Sequence, residues 1–222
     1  MALYDSADLL QRLRDLLGRP TTDAIFTDAL LYRFLTQAEA EVKSEVATHH
    51  PHGMWSAPVI MTTADSKVYT LGGSVTEPLR LLLLESLTGQ PLKPGPFWDP
   101  ESDYVWEGGN TIRITAGRTR TFASGPYARV VTAPTTINAT TSSTVDPDRL
   151  RILLVYKAAS FAARRGGGIQ EPQYFDDAYD QAAWGTPGTG NVGLLGALKK
   201  ADVRGGLASI EGGGFKYWKP LG

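Results

Sequence analysis

Three histidines within four positions, His49, His50 and His52, are the densest group of potential metal ligands in the 222-residue chain, imidazole being a common zinc ligand. Their loop offers no cysteine, so a solvated or interface loop is the simpler account and no metal is expected. Four acids, Asp99, Glu101, Asp103 and Glu107, lie beside Trp98 and Trp106, the residue types a glycosidase would use as paired carboxylates on an aromatic sugar platform. A polar loop and a hairpin explain the same residues without catalysis, so no catalytic residue is expected. Arg164-Arg165-Gly166-Gly167-Gly168 looks like an anion-binding loop, but it lacks the Gly-Lys-Ser/Thr of a phosphate loop and follows a helical pattern, at the wrong end of the dipole. A helix stop is expected there. Arg113, Arg118, Arg120 and Arg129 could form a basic strip toward acidic partners or DNA, with separate solvated strand faces as the preferred reading. Phe215, Tyr217 and Trp218 near the C-terminus are too apolar to leave in water, which favours a partner groove.

The elements that must position these residues follow from composition and periodicity. Hydrophobic residues make up 42% and charged residues 20%, a balance that argues for a folded chain. A formal net charge of −1 gives no bulk drive toward nucleic acid, so DNA binding would need a local basic patch. The absence of cysteine excludes a disulfide framework and a cysteine nucleophile, and makes the cytosol the expected place of assembly. The acidic start Met-Ala-Leu-Tyr-Asp-Ser-Ala-Asp lacks a signal pattern, and the longest apolar run, Leu81 to Leu84, is too short to span a bilayer; no export and no membrane partner are expected.

Leu9, Leu10, Leu13, Leu16 and Leu17 form one helical stripe between an Asp5/Ser6 cap and Gly18. A second helix carries Leu30, Leu31, Phe34, Leu35, Ala38, Val42 and Val46 inward, with Glu39, Glu41, Lys43 and Glu45 largely on the other side, and stops at His49-His50-Pro51. From Trp55 to about Val145 short β-branched and aromatic runs predict strands at Val59–Thr62, Lys67–Leu71, Leu79–Leu87, Asp103–Trp106, Thr111–Thr115 and Ala128–Thr132. Leu79–Leu87 is also compatible with a buried helix, but its Pro and Gly flanks and short length favour a strand. Trp106 to Thr111 reads as a hairpin turn. Helix returns at Asp146-Pro147-Asp148 with Leu150, Leu153, Leu154, Ala158, Phe161 and Ala162 apolar, and again from Glu171-Pro172 to Trp184-Gly185 with Phe175, Ala178, Tyr179 and Ala182 inward.

The fold class expected is α+β: a four-helix bundle, two N-terminal and two C-terminal helices, with an inserted antiparallel β domain and an extended Gly-rich C-terminal arm. The divisions are 1–54 and 146–185 for the bundle, 55–145 for the β insertion and 186–222 for the arm. Leu35 and Phe161 are expected in the bundle core. So many strand edges in the insertion argue for assembly through a large interface. The arm cannot bury a core alone; its anchors are Leu194, Leu195, Leu198, Phe215, Tyr217 and Trp218, with Lys199, Lys200, Lys216 and Lys219 beside them.

Helix pair, β insertion, helix pair is the order seen in the head-to-tail adaptor (connector) proteins of tailed bacteriophages. Asp28 to Glu41, reading DALLYRFLTQAEAE, resembles that family's second helix, and Thr62 to Leu71, TTADSKVYTL, is similar to its threonine-led strand closing on Tyr-x-Leu, with Gly72 where the family often has proline. Tyr127 to Pro134, YARVVTAP, resembles the last strand and its exit; Ala158 to Arg164, AASFAAR, is similar to the alanine-rich third helix. The resemblance implies a structural virion protein at the head-tail interface, assembled in the host cytoplasm, without cofactor or metal and not an enzyme. Its implied partners are the portal protein, further neck or tail proteins, itself as a cyclic ring of about twelve copies, and genomic DNA passing through the lumen without specific binding. By the same resemblance, the arm docks on the portal. A carbohydrate- or receptor-binding β module using Trp98 and Trp106 is the alternative.

Overall fold

The computed structural model describes residues 4–21, 23–49, 56–65, 67–72, 78–84, 91–96, 98–99, 101–115, 126–145, 148–166, 170–188 and 192–199. The chain divides into two compact units: a helical unit, Met1–Gly53 with Pro134–Gly222, and a β unit, Met54–Ala133. Residues 134–145, expected in the β insertion, therefore belong to the helical unit.

In the helical unit α1 (Ser6–Leu17) begins where the Asp5 side chain accepts the Asp8 amide at 2.8 Å, satisfying an amide that has no partner within the helix, and ends at Gly18. Leu9, Leu13 and Leu17, one turn apart, are buried on one stripe. Arg14 on the same helix is buried too; it donates to the carbonyls of Pro20 (2.6 Å) and Phe26 (3.1 Å) and to Asp28, and so fixes the path into α2 (Asp28–His49). A 3-10 turn (Asp148–Arg151) leads into α3 (Ile152–Arg164); the capping residues expected at Asp146 and Pro147 lie outside the described residues. Helix α4 (Pro172–Trp184) has its proline in the first turn, where a missing N–H costs nothing.

These helices do not form the four-helix bundle expected from four apolar stripes. The α+β class holds, but α3 is a central helix that packs on α1, α2 and α4, while α1 touches α2 less and α4 packs mainly on α3. Two physical reasons stand out. Helix α3 buries Leu153, Leu154, Val155, Ala158, Ala159, Ser160, Ala162 and Ala163, more than one stripe, so it is surrounded and not merely faced. Beside α1 and α2 lies the extended segment 134–145: Ile137 N donates to Thr36 Oγ1 at 3.0 Å, Thr144 N to Glu39 at 3.0 Å, and Ser6 N to Ser142 Oγ at 3.1 Å, with Ile137 and Val145 buried. That strip of chain covers apolar surface a fourth helix would otherwise cover. Leu35 is buried as expected, whereas Phe161 is only half-buried.

The β unit holds β1 (Val59–Asp65), β2 (Val68–Leu71), β3 (Arg80–Leu84), β4 (Tyr104–Gly108), β5 (Thr111–Ile114) and β6 (Tyr127–Val131), one antiparallel sheet in the order β3-β6-β1-β2-β5-β4. Gly108 (φ 107°) and Gly109 (φ 53°) turn β4 into β5 at the expected hairpin, in backbone conformations that favour glycine. The sheet curls until one short segment bonds to both outer strands: Leu92 N donates to Leu83 O of β3 (2.8 Å), while Asp103 N donates to Lys93 O (2.8 Å) and Gly95 N to Tyr104 O of β4 (3.1 Å). Residues 91–95 thus bridge each outer strand at one end, near Leu84 of β3 and Tyr104 of β4. Met61, Leu71, Leu83, Leu92, Tyr104, Ile112, Ile114, Ala128 and Val130 fill the interior.

Candidate functional site

The polar face of α2 supplies the candidate site. Glu41, Ser44, Glu45, Thr48 and His49 recur at one-turn spacing and, with Lys157 of α3, line an open groove of about 560 Å³ in the helical unit. Lys157 Nζ pairs with Glu41 at 3.1 Å and sits 4.9 Å from the centre of the Tyr179 ring, on which a cation is attracted by the ring's negative face. The Tyr179 hydroxyl donates to Glu45, joining α4 to α2. At the far end His49 meets Trp184 edge to face, with ring centres 4.9 Å apart.

Burial pushes the Tyr179 phenol well above its ordinary value, and the hydrogen bond to Glu45 and the charges of Glu45, Asp180 and Glu41 push it further. The phenol therefore stays protonated at neutral pH and serves as a fixed donor. Of the groove's own charges, Glu45 accepts from this phenol and Glu41 is paired with Lys157.

A second polar cluster is interior. Glu39 and Lys43, expected on the solvent face of α2, are both buried. Glu39 accepts from Ser143 Oγ, Thr144 N (3.0 Å) and Thr144 Oγ1 (2.9 Å), and Lys43 Nζ donates to Thr144 Oγ1 at 2.6 Å. Burial lowers the Lys43 ammonium from its ordinary value, and the Glu39 charge works against that shift. Through Ser143 and Thr144 this cluster clamps segment 134–145 to α2.

Compared with known protein families and with curated proteins, the chain matches none.

The sequence-derived candidates are spread over both units. His49 packs on Trp184, while His50 and His52 lie outside the described residues; among the described residues no three His, Cys, Asp or Glu side chains form a group that could hold a metal. The acids of the β unit hold its closing loop: Asp103 accepts the Lys93 amide (2.9 Å), Asp99 accepts the Glu101 amide (2.9 Å), and Lys93 Nζ meets Glu101 at 3.1 Å. Glu107 pairs with Arg113, and Trp106 donates to Gly109 O at 3.1 Å; Trp98 is 83% exposed. Arg164 ends α3 and pairs with Asp176 at 2.8 Å, with Gly166 at φ 84°, as a helix stop requires; Gly167 and Gly168 lie outside the described residues. Arg118 and Arg120 also lie outside them, Arg113 is engaged by Glu107, and Arg129 is half-buried on β6. No helix among the described residues is long and apolar enough to cross a membrane.

Of the arm's anchors, Leu195 and Leu198 are buried in the chain's own helical unit, on a helical turn at 194–199, and Leu194 is half-buried. Gly193 makes that seat possible: a Cβ there would lie 2.4 Å from the Ala183 carbonyl carbon and 2.5 Å from the Gly185 nitrogen, at the end of α4. Phe215, Tyr217 and Trp218, with Lys200, Lys216 and Lys219, lie outside the described residues.

Proposed function

We propose that this chain is a structural virion subunit, a head-to-tail adaptor of a tailed bacteriophage. About twelve copies pack head to tail in a closed ring below the portal, extend the DNA channel and present the tail attachment site. The observation that carries the reading is one of order: the four stretches similar to the adaptor family fall on α2, on the β1–β2 hairpin, on β6 with its exit, and on α3, around a β unit inserted into a helical one. Apolar residues left in water support it as contact surface, namely Ile25 (72% exposed) and Tyr174 on the helical unit and Val59, Ile60 and Trp98 on the β unit. In this role the residues beyond Lys199, with Phe215, Tyr217 and Trp218 as anchors, dock on the portal, where buried aromatics commonly contribute about 2 kcal/mol or more each.

Co-sedimentation of the full chain with purified portal rings tests the proposal. Stable binding, visible by electron microscopy as an added ring and lost on replacing Phe215, Tyr217 and Trp218 together by alanine, is the expected result. A chain that remains unbound beside portals that recruit other neck proteins overturns it. The exposure of Trp98 favours a second reading, a carbohydrate- or receptor-binding β module. Retention on immobilised glycans, lost in Trp98→Ala, would select that one.

A further inference from the structure

We propose that the exposed face of α4 in one copy of this chain docks on the outward face of β3, β6 and β1 in a second copy, acid against base around an apolar centre. Strand alternation builds the first half of that contact. Leu81, Leu83, Ala128 and Val130 pack on the interior of the β unit, so their neighbours Arg80, Leu82, Tyr127 and Arg129 turn the other way. Ile60, opposite Tyr127 on β1, joins them and is 44% exposed. Strands β3 and β6 contain no acid; their charged residues are Arg80 and Arg129. The Arg129 Nε finds no acceptor among the described residues. The face therefore combines two guanidinium groups with Ile60, Leu82 and Tyr127, a composition typical of protein contact surfaces. A nucleic acid would meet the arginines but leave the apolar side chains without a partner.

Helix α4 supplies the other half. It holds Asp176, Asp177 and Asp180 and no lysine or arginine. Asp176 is engaged by Arg164, whereas Asp177 and Asp180 are exposed, and Asp177 accepts from the neutral Gln173 at 2.7 Å. Tyr174, one turn before Asp177, is 50% exposed. The spacings match. Tyr174 to Asp180 is on the order of 9 Å at the helical rise. On the sheet, the row of Tyr127 and the row of Arg129 are on the order of 7 Å apart, with Arg80 one row further. With Tyr174 seated against Ile60 and Tyr127, Asp177 and Asp180 come within reach of Arg129 and Arg80. Charge decides the occupant: a chain with a formal net charge of −1 that places acid on one helix and base on two strands is complementary to another copy of itself. Like faces repel, so the contact is heterologous, and a pair of copies still offers one free face of each sign. Closure of such contacts into a ring rests on the function proposed above; the pairing of the two faces does not.

Cross-linking with a short bismaleimide tests the pairing without any portal, because the chain has no cysteine of its own. Thr62→Cys and Gln173→Cys, both at exposed positions beside the apolar centre, are made in separate full-length chains and mixed. Products joining position 62 to position 173 should exceed those joining like positions by roughly tenfold. Asp177→Arg with Asp180→Arg in the Gln173→Cys chain should abolish that excess, and adding Arg80→Asp with Arg129→Asp to the Thr62→Cys chain should restore it. A restored contact requires both variants to be folded. Products in statistical proportion overturn the proposal, as does a loss that the charge swap fails to restore. A chain carrying both cysteines that links to itself and not to another copy also overturns it. Portal binding without the 62-to-173 product would keep the adaptor reading and sink this interface; the product without portal binding would keep the interface and sink the adaptor reading.

Discussion

The two units handle polar groups in opposite ways. The helical unit buries charge deep inside, with Arg14 (2% exposed), Glu39 (0%) and Lys43 (1%) each tying a connecting segment to a helix. The β unit keeps its interior apolar, and its buried polar residues, Ser102, Asp103 and Thr115, sit where the loop 91–103 and the end of β5 close the sheet: Thr115 donates to Ser102 O, and Asp103 accepts from Lys93 N. The difference is one of error tolerance. A buried ion loses its compensation entirely when one partner goes, whereas an apolar interior loses contacts in proportion to the atoms removed.

That contrast can be broken most directly at Glu39. Glu39→Ala removes the buried carboxylate that accepts from Ser143 and Thr144 and should destabilise the helical unit by about 3–5 kcal/mol, with Glu39→Gln costing less. Segment-resolved hydrogen exchange should show α2 and 134–145 losing protection while β1 to β6 keep theirs. Uniform loss in both units would mean that they do not unfold separately. Next in size is a matched pair of cavities, Leu83→Ala in the β unit and Leu195→Ala in the helical unit, each expected to cost about 3 kcal/mol by urea unfolding. A silent Leu195→Ala would remove the 194–199 turn from the core. For the same reason, cutting the chain before Thr186 should lower the melting temperature.

Alkaline pH sharpens the comparison further. Burial pushes the Tyr104 phenol up to about 12, against the opposing effect of its Leu83 backbone hydrogen bond. Because the folded value lies above the unfolded one, near 10, this tyrosine's contribution is fully present below about pH 10 and disappears as pH rises toward 12. Tyr104→Phe should flatten that fall in the β unit, as read by pH-dependent urea midpoints. The smallest effect expected is at the edge of the helical unit: Asp5→Ala removes the α1 cap and should cost about 1 kcal/mol, with faster exchange confined to the first turn.

What could be read from sequence follows the same divide. All six strands were legible, because β-branched runs bounded by Gly, Pro and Asn carry their own punctuation, as at Trp106 to Thr111. Residues 91–95 were not, since Pro91 and Pro94 interrupt any strand pattern while the segment needs only a few backbone bonds to close the sheet. The helices were legible as stripes, but their assembly was not. Glu39 and Lys43 read as solvent-facing because only the partner segment 134–145, about a hundred positions away, makes their burial possible. The groove was half-visible in the one-turn spacing of Glu41, Glu45, Thr48 and His49; that Tyr179 and Trp184 would meet them is a fact of packing on α3, which no local pattern encodes.

The helical unit is assembled from both ends of the chain, and this sets an order of events at the ribosome. Helices α1 and α2 emerge first, yet α3 and the 134–145 clamp, which cover their apolar stripes, follow only after the whole β unit has been synthesised. At roughly 5–20 residues per second the delay is on the order of 5–20 s, long compared with the formation of a hairpin or a helix. The β unit, continuous in sequence, can close during that wait. Leu9, Leu13, Leu31 and Leu35 cannot bury themselves until it ends, so the nascent N-terminal helices are where a chaperone would bind this chain.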